Sequence, residues 1–99
     1  MQYDVEALFE FNDRKKRYSG YRPAHLIKEG YLTTGLHCYY EDNVGREIKG
    51  KIAFISPEEY PKSLWVGKKI EMYEGSKMIG TVKILQIFNK ILEKDFYLK

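Results

Sequence analysis

Apolar residues recur at every second position over several short stretches of the chain. Tyr3, Val5, Ala7, Phe9 and Phe11 share one parity, and Asp4, Glu6 and Glu10 hold the other. Period two with the apolar set on one side predicts a half-buried strand over 3–11, with Leu8 as its one exception. The polar run NDRKKRYSG follows and predicts a loop. Pro23 has no N–H and biases Arg22 toward extended geometry, so a strand can begin here but cannot be centrally paired through Pro23. AHLIK continues that strand, and Glu29-Gly30 predicts a bend or bulge. YLTTGLHCYY is β-rich again, with Gly35 read as a bulge or a close backbone approach. EDNVG is a turn cluster. In EIKGKIAFI, residues 47–55, Ile48, Ile52 and Phe54 fall together and Lys49 and Lys51 lie opposite. SPEEYPKS carries two prolines and predicts a surface loop or a single helical turn. KKIEMY is a short strand, Gly75-Ser76 suits a type II′ hairpin, and KMIGTVKILQI returns as a long strand interrupted by Gly80. In FNKILEKDFYLK the positions of Phe88, Ile91 and Leu92 fit a helical stripe, and an extended edge is the alternative. A short helix or irregular tail is the favoured reading.

Five to seven strands with turns between them predict an all-β fold, a small closed antiparallel barrel of about six strands. Closure removes the unpaired edges that so small a sheet would otherwise expose. The 99 residues suit one domain, 1–99, with a core over 3–87 and a tail over 88–99. Nine tyrosines reinforce the β assignment, because Tyr suits pleated, half-buried surfaces. Net charge is +3, from 17 basic and 14 acidic side chains, which permits a nucleic-acid or acidic protein partner without requiring one. Cys38 is the one cysteine, so no intrachain disulfide forms and a reducing cytoplasm is the expected setting. MQYDVEALFEF lacks a basic n-region and does not read as a signal peptide. No apolar run approaches the length needed to span a bilayer, so no membrane role is expected.

Three blocks line up with a known family. Gly20-Tyr21-Arg22-Pro23 precedes Thr33-Thr34-Gly35. Ile55-Ser56-Pro57 follows Lys51-Ile52-Ala53-Phe54. GKKIEMYEGSKMIGTV supplies Gly67, Ile70, Met72, Glu74-Gly75, Lys77, Ile79 and Gly80. In order and spacing these resemble the C-terminal β-barrel domain of elongation factor Tu, the GTP-dependent carrier of aminoacyl-tRNA. The strand DVEALFEF resembles that domain's first strand, so the resemblance covers roughly residues 3–87. It implies a barrel whose strand starts at Tyr-Arg-Pro, and partners drawn from translation: tRNA, the ribosome, or a translation-associated protein.

The chain also departs from that family. Where the family has His-Thr-Pro-Phe before its Gly-Tyr-Arg-Pro, this chain has Arg14-Lys15-Lys16-Arg17-Tyr18. The family's Gly-Asp-Asn-Val turn becomes Gly45-Arg46-Glu47-Ile48, a base in place of an acid. Tyr73 replaces the Arg before Glu-Gly. No Gly-x-x-x-x-Gly-Lys-Ser/Thr loop occurs, so no nucleotide phosphate cradle and no nucleotide cofactor are expected.

The candidate chemistry is that of binding. His25 and His37 fall inside predicted strands, and Cys38 points to the face opposite its neighbour His37, so base and nucleophile do not pair. Both histidines read as ordinary barrel positions, and the His and Cys spacing suits no metal. No nucleophile elbow or acid–base pair is present, so no catalytic residue is assigned. Arg14, Lys15, Lys16 and Arg17, flanked by Tyr18 and Tyr21 and joined by Arg22, form the nucleic-acid candidate: cations for phosphates, rings for bases. The competing reading is a solvated loop balanced by Asp4, Glu6, Glu10 and Asp13. Trp65 beside prolines reads as a protein-binding anchor or, more often, a cap on the barrel core. One of Tyr39 and Tyr40 must face outward. Gly35 and Gly80 are assigned to barrel curvature.

The expectation is therefore a non-catalytic binding module in the cytoplasm, engaging RNA or a translation-associated protein. Its alternative is an interaction or decoy domain that mimics the elongation factor's surface, with Trp65, the outward member of Tyr39-Tyr40 and the C-terminal tail at the interface. A monomer is expected, or a weak homodimer pairing through FNKILEKDFYLK.

Overall fold

The computed structural model describes residues 2–41 and 47–95. Most of the EDNVG turn, Arg46 and the last four residues of the tail lie outside them. Six strands form: β1 (Val5–Phe11), β2 (Ala24–Lys28), β3 (Tyr31–Tyr39), β4 (Glu47–Phe54), β5 (Lys69–Glu74) and β6 (Lys77–Ile87). Every pairing is antiparallel, and the order β1-β4-β3-β2-β5-β6 closes on itself. The chain is thus the small closed β-barrel that its alternation predicts.

Alternation translates directly into the inside of the barrel. Val5, Ala7, Phe9 and Phe11 of β1 are buried, as are Ile48, Ile52 and Phe54 of β4 and Ile70 and Met72 of β5. Register stacks them into layers. Phe9 lies opposite Ile48 on one side and Val82 on the other, and Val5 lies between Ile52 and Ile87. A barrel this narrow is filled by its own side chains.

The β5–β6 hairpin turns through Gly75-Ser76 as expected. Gly75 has φ +63 and Ser76 is not in the left-handed region, the pattern of a type II′ turn. Gly80 sits at the register shift opposite Met72. A Cβ there would come within 2.9 Å of the Phe11 Cα, so β6 and β1 approach closely where the sheet bends. Gly35 is neither the expected bulge nor the expected close backbone approach. Its pairing with Phe54 is continuous, the β2–β3 register shift falls between Leu26 and Lys28, and what crowds its α-carbon is the Ile52 and His25 side chains.

Two segments close the ends. At one end, residues 12–23 fold over Phe11, Tyr39 and His37. At the other, the Pro57–Glu59 3-10 turn and the chain to Lys68 meet a second 3-10 turn, Lys90–Leu92. Leu64 N–H donates to the Leu92 carbonyl at 2.9 Å, and Lys62 N–H to that of Ile91 at 2.9 Å. Tyr60, Leu64 and Leu92 are fully buried there. Of the tail's apolar stripe, Leu92 alone points inward, while Phe88 and Ile91 are exposed.

Asp4 corrects the simple alternation. Its parity predicts a solvent-facing carboxylate, yet β1 starts one residue later and Asp4 is buried. Its oxygens accept from Phe54 N–H at 2.7 Å and Asn89 Nδ2 at 2.9 Å, fastening the start of β1 to the end of β4 and to the tail. Hydrogen bonds to the carboxylate offset its removal from water.

Candidate nucleic-acid interface

The basic run lies on the loop between β1 and β2. Polar residues there cannot join the core, so the chain leaves the sheet after Phe11 and returns at Ala24. Gly20 N–H donates to the His37 carbonyl at 2.9 Å, and His37 N–H donates to that of Tyr21 at 2.9 Å. Gly35 N–H donates to the Pro23 carbonyl at 3.1 Å. Tyr21-Arg22-Pro23 thus runs alongside β3, and Pro23 uses its carbonyl where it has no donor to offer.

Arg17 stands apart from the other cations of the run. Its side chain is only 8% exposed. The guanidinium lies 4.1 Å from the centre of the Phe11 ring and 5.6 Å from that of Tyr21. It donates to Asp13 at 2.9 Å and to the Lys15 carbonyl at 3.0 Å. That ion pair, with the Lys15 N–H as a second donor, holds the Asp13 carboxyl down at about 2. Arg17 is the cation that fixes the loop on the barrel end. Arg14, Lys15, Lys16 and Arg22 remain exposed.

Fixing Arg17 shapes a groove of about 330 Å³ lined by Lys15, Lys16, Arg17, Tyr18, Tyr21 and Glu74. Tyr18 is exposed on its rim. The Tyr21 hydroxyl donates to the Glu74 carboxylate at 3.0 Å, and burial followed by that carboxylate pushes the phenol up. The groove therefore has a cationic wall, an aromatic floor and one acceptor at its far side. Arg14 and Arg22 do not line it. The carboxylate was not foreseen from sequence, because Glu74 lies 53 residues from Tyr21 along the chain.

The protein-binding candidates separate. Tyr39 is 5% exposed and Tyr40 is 48% exposed, so Tyr40 is the outward member of the pair. Its hydroxyl donates to Glu6 at 2.7 Å, and its phenol rises to about 12 through desolvation and that carboxylate. Trp65 is half-buried beside the segment that closes the other end. The Lys68 ammonium lies 4.5 Å and the Lys94 ammonium 5.5 Å from its ring centre. Lys68 also donates to the carbonyls of Ile27 at 2.6 Å and Ser63 at 2.8 Å, and desolvation lowers its pKa. Trp65 contacts Lys68 and Lys94, whereas Tyr40 contacts Glu6 and Lys51, so no described contact joins them into one patch.

Sequence reasoning placed His25 and His37 in the barrel but not in contact. Both are fully buried, and their Nε2 atoms are 2.9 Å apart. Gly35 makes the meeting possible. A Cβ there would lie 2.8 Å from His25 Cε1 and 2.7 Å from Ile52 Cγ2, so the missing side chain is the space the His25 ring occupies. The contact is legible only once β2 and β3 are aligned, with His25 opposite Thr33.

The partners fix both tautomers. His25 Nδ1 lies 3.3 Å from the Thr33 carbonyl, which only accepts, so Nδ1 carries the proton. Nε2 of His25 is then the acceptor, and His37 Nε2–H donates to it. That leaves His37 Nδ1 as an acceptor for the Tyr39 hydroxyl at 2.7 Å. Burial lowers His25 to about 4 and His37 well below the usual imidazole value, and burial also raises Tyr39. Cys38, by contrast, lies on the outer face between inward His37 and Tyr39.

Comparison with family models and with curated proteins finds no match to this chain. Among the described residues no cluster of three or more His, Cys, Asp or Glu is placed to hold a metal ion, and no helix is long and apolar enough to cross a membrane.

Proposed function

We propose that this chain is a non-catalytic binding module that engages RNA in the cytoplasm, in a translation-related setting such as tRNA or the ribosome. The groove carries the reading: Lys15 and Lys16 stand beside Tyr18 and Tyr21 on a loop that Arg17 joins to Phe11 and Asp13. Cations next to accessible rings suit a backbone phosphate with a neighbouring base stacked on tyrosine. Glu74 disfavours phosphate at its own side, so the backbone would track along Arg14, Lys15 and Lys16, with Arg22 as a further contact. The resemblance of residues 3–87 to the elongation factor Tu barrel supports a partner from translation.

The test is binding of a fluorescein-labelled oligouridylate over a range of salt. Four to five phosphate contacts to a single strand give a slope of log affinity against log salt of roughly −3 to −3.5. Lys15→Ala with Lys16→Ala should flatten that slope by about 1.4, since each lost contact to a single strand removes roughly 0.7. The melting temperature should not change. A flat salt dependence in the unaltered protein removes the RNA reading. A ribonuclease-resistant protein partner in a pull-down would replace it with the interaction-domain alternative.

A further inference from the structure

We infer that the buried His25–His37 pair is an acid-sensitive latch on the groove: protonating either ring releases the loop from Asp13 to Tyr21. The consequence for RNA binding rests on the groove reading above. The loop release itself does not.

A proton arriving on His25 must bind Nε2, because Nδ1–H already faces the Thr33 carbonyl. Two N–H groups would then point at each other across 2.9 Å. A proton on His37 must bind Nδ1, which turns the Tyr39 hydroxyl from donor to acceptor across 2.7 Å. Either event places a cation in an interior with nothing to balance it. From β1 the pair faces Phe9, with ring centres 4.4 Å apart from His37. From β4 it faces Ile52 and Phe54, and from β5 Met72 lies opposite His25. From the loop it faces the edge of Tyr21, and beyond that ring the Arg17 guanidinium, which repels a proton on His37. Asp13 is reached only through Arg17 and is already paired with it. No carboxylate is among the described partners of either ring.

The loop is the part that yields, because it is attached to the very residues that would carry the charge. Gly20 N–H and the Tyr21 carbonyl bond to the His37 backbone, and Tyr39 N–H donates to Ser19 Oγ at 3.0 Å. Lifting this segment removes Tyr21 and Arg17 from above His37 and admits water. The neighbouring β2–β5 seam is also the shortest in the barrel, with two residue pairs, Ala24–Tyr73 and His25–Met72. The far end is held separately through Leu64, Leu92 and Ile91.

The direction follows from linkage. Both imidazoles are depressed in the closed form, so the closed form is fully favoured above about pH 6.5 and loses ground as pH falls toward about 4. One imidazole that regains its ordinary value on opening raises the opening equilibrium about 20-fold between pH 7 and pH 5.

The experiment is nuclear magnetic resonance on the isotope-labelled full chain, in which His25 and His37 are the only histidines. At pH 7 the ring nitrogens should report Nδ1–H for His25 and Nε2–H for His37. Amide exchange, corrected for its intrinsic pH dependence, should speed up about 20-fold from pH 7 to pH 5 at Gly20, His37 and Tyr39. The amides of Leu64, Gly67 and Leu92 should keep their protection. Unchanged protection at Gly20, His37 and Tyr39, equal loss at both ends, or the reversed tautomers would each overturn the latch. Affinity for the labelled oligouridylate should fall over the same pH interval. Absence of RNA binding already at pH 7 would refute the groove reading alone, since exchange reads the loop without any ligand.

Discussion

Gly35→Ala isolates the packing that lets two histidines share the barrel interior. In a strand, alanine ordinarily favours the fold over glycine by about 0.5–1 kcal/mol, because glycine loses more backbone freedom. Here the added methyl would sit 2.7 Å from Ile52 Cγ2 and 2.8 Å from His25 Cε1, both well inside ordinary contact distance. Neither neighbour retreats easily. Ile52 is branched at its β carbon and fully buried, and His25 is held at both ring nitrogens. Overpacking of a filled core costs about 1–3 kcal/mol. The clash outweighs the entropic gain, and the net loss should be about 1–2 kcal/mol, or about 5–15 °C in melting temperature for a domain of this size. Urea and thermal unfolding followed by circular dichroism measure it. Combining Gly35→Ala with Ile52→Ala should cost at least about 1 kcal/mol less than the sum of the two single losses, because the truncated residue gives the methyl room. A Gly35→Ala protein as stable as the parent, or strict additivity in the double variant, would refute the steric account.

Tyr39→Phe should cost about 1–3 kcal/mol in urea unfolding, because it leaves His37 Nδ1 as a buried acceptor without its donor; a neutral result would argue against that hydrogen bond. Arg17→Lys should destabilise by about 1 kcal/mol although charge is kept, since an ammonium cannot reproduce the contact of the planar guanidinium with the Phe11 ring. Full retention of stability in that variant would show that the guanidinium geometry is unimportant. Trp65→Ala should lower the melting temperature by several degrees, because the half-buried indole holds the Lys68 and Lys94 ammonium groups. An unchanged melting temperature would return Trp65 to the role of a partner-facing anchor.

The sequence by itself determined the architecture. Period-two runs at 3–11 and 47–55, the hairpin at Gly75-Ser76 and the break at Pro23 are local signals, and the inward sets of β1 and β4 follow from backbone alternation. It also determined that a basic, tyrosine-flanked loop would sit outside the sheet. Tertiary structure alone decided which of those residues act together. Arg17 belongs to the core's end because Phe11 and Asp13 receive it, whereas the adjacent Lys15 and Lys16 face the groove. Glu74 enters the groove from the β5–β6 hairpin. Asp4 turns inward because Phe54 N–H and Asn89 offer it donors from distant segments. His25 and His37, each unremarkable on its own strand, meet because strand register aligns them across the empty position of Gly35. Alternation reports which face a residue takes. Its partners on that face depend on register and closure, which are set by contacts between residues far apart in the chain.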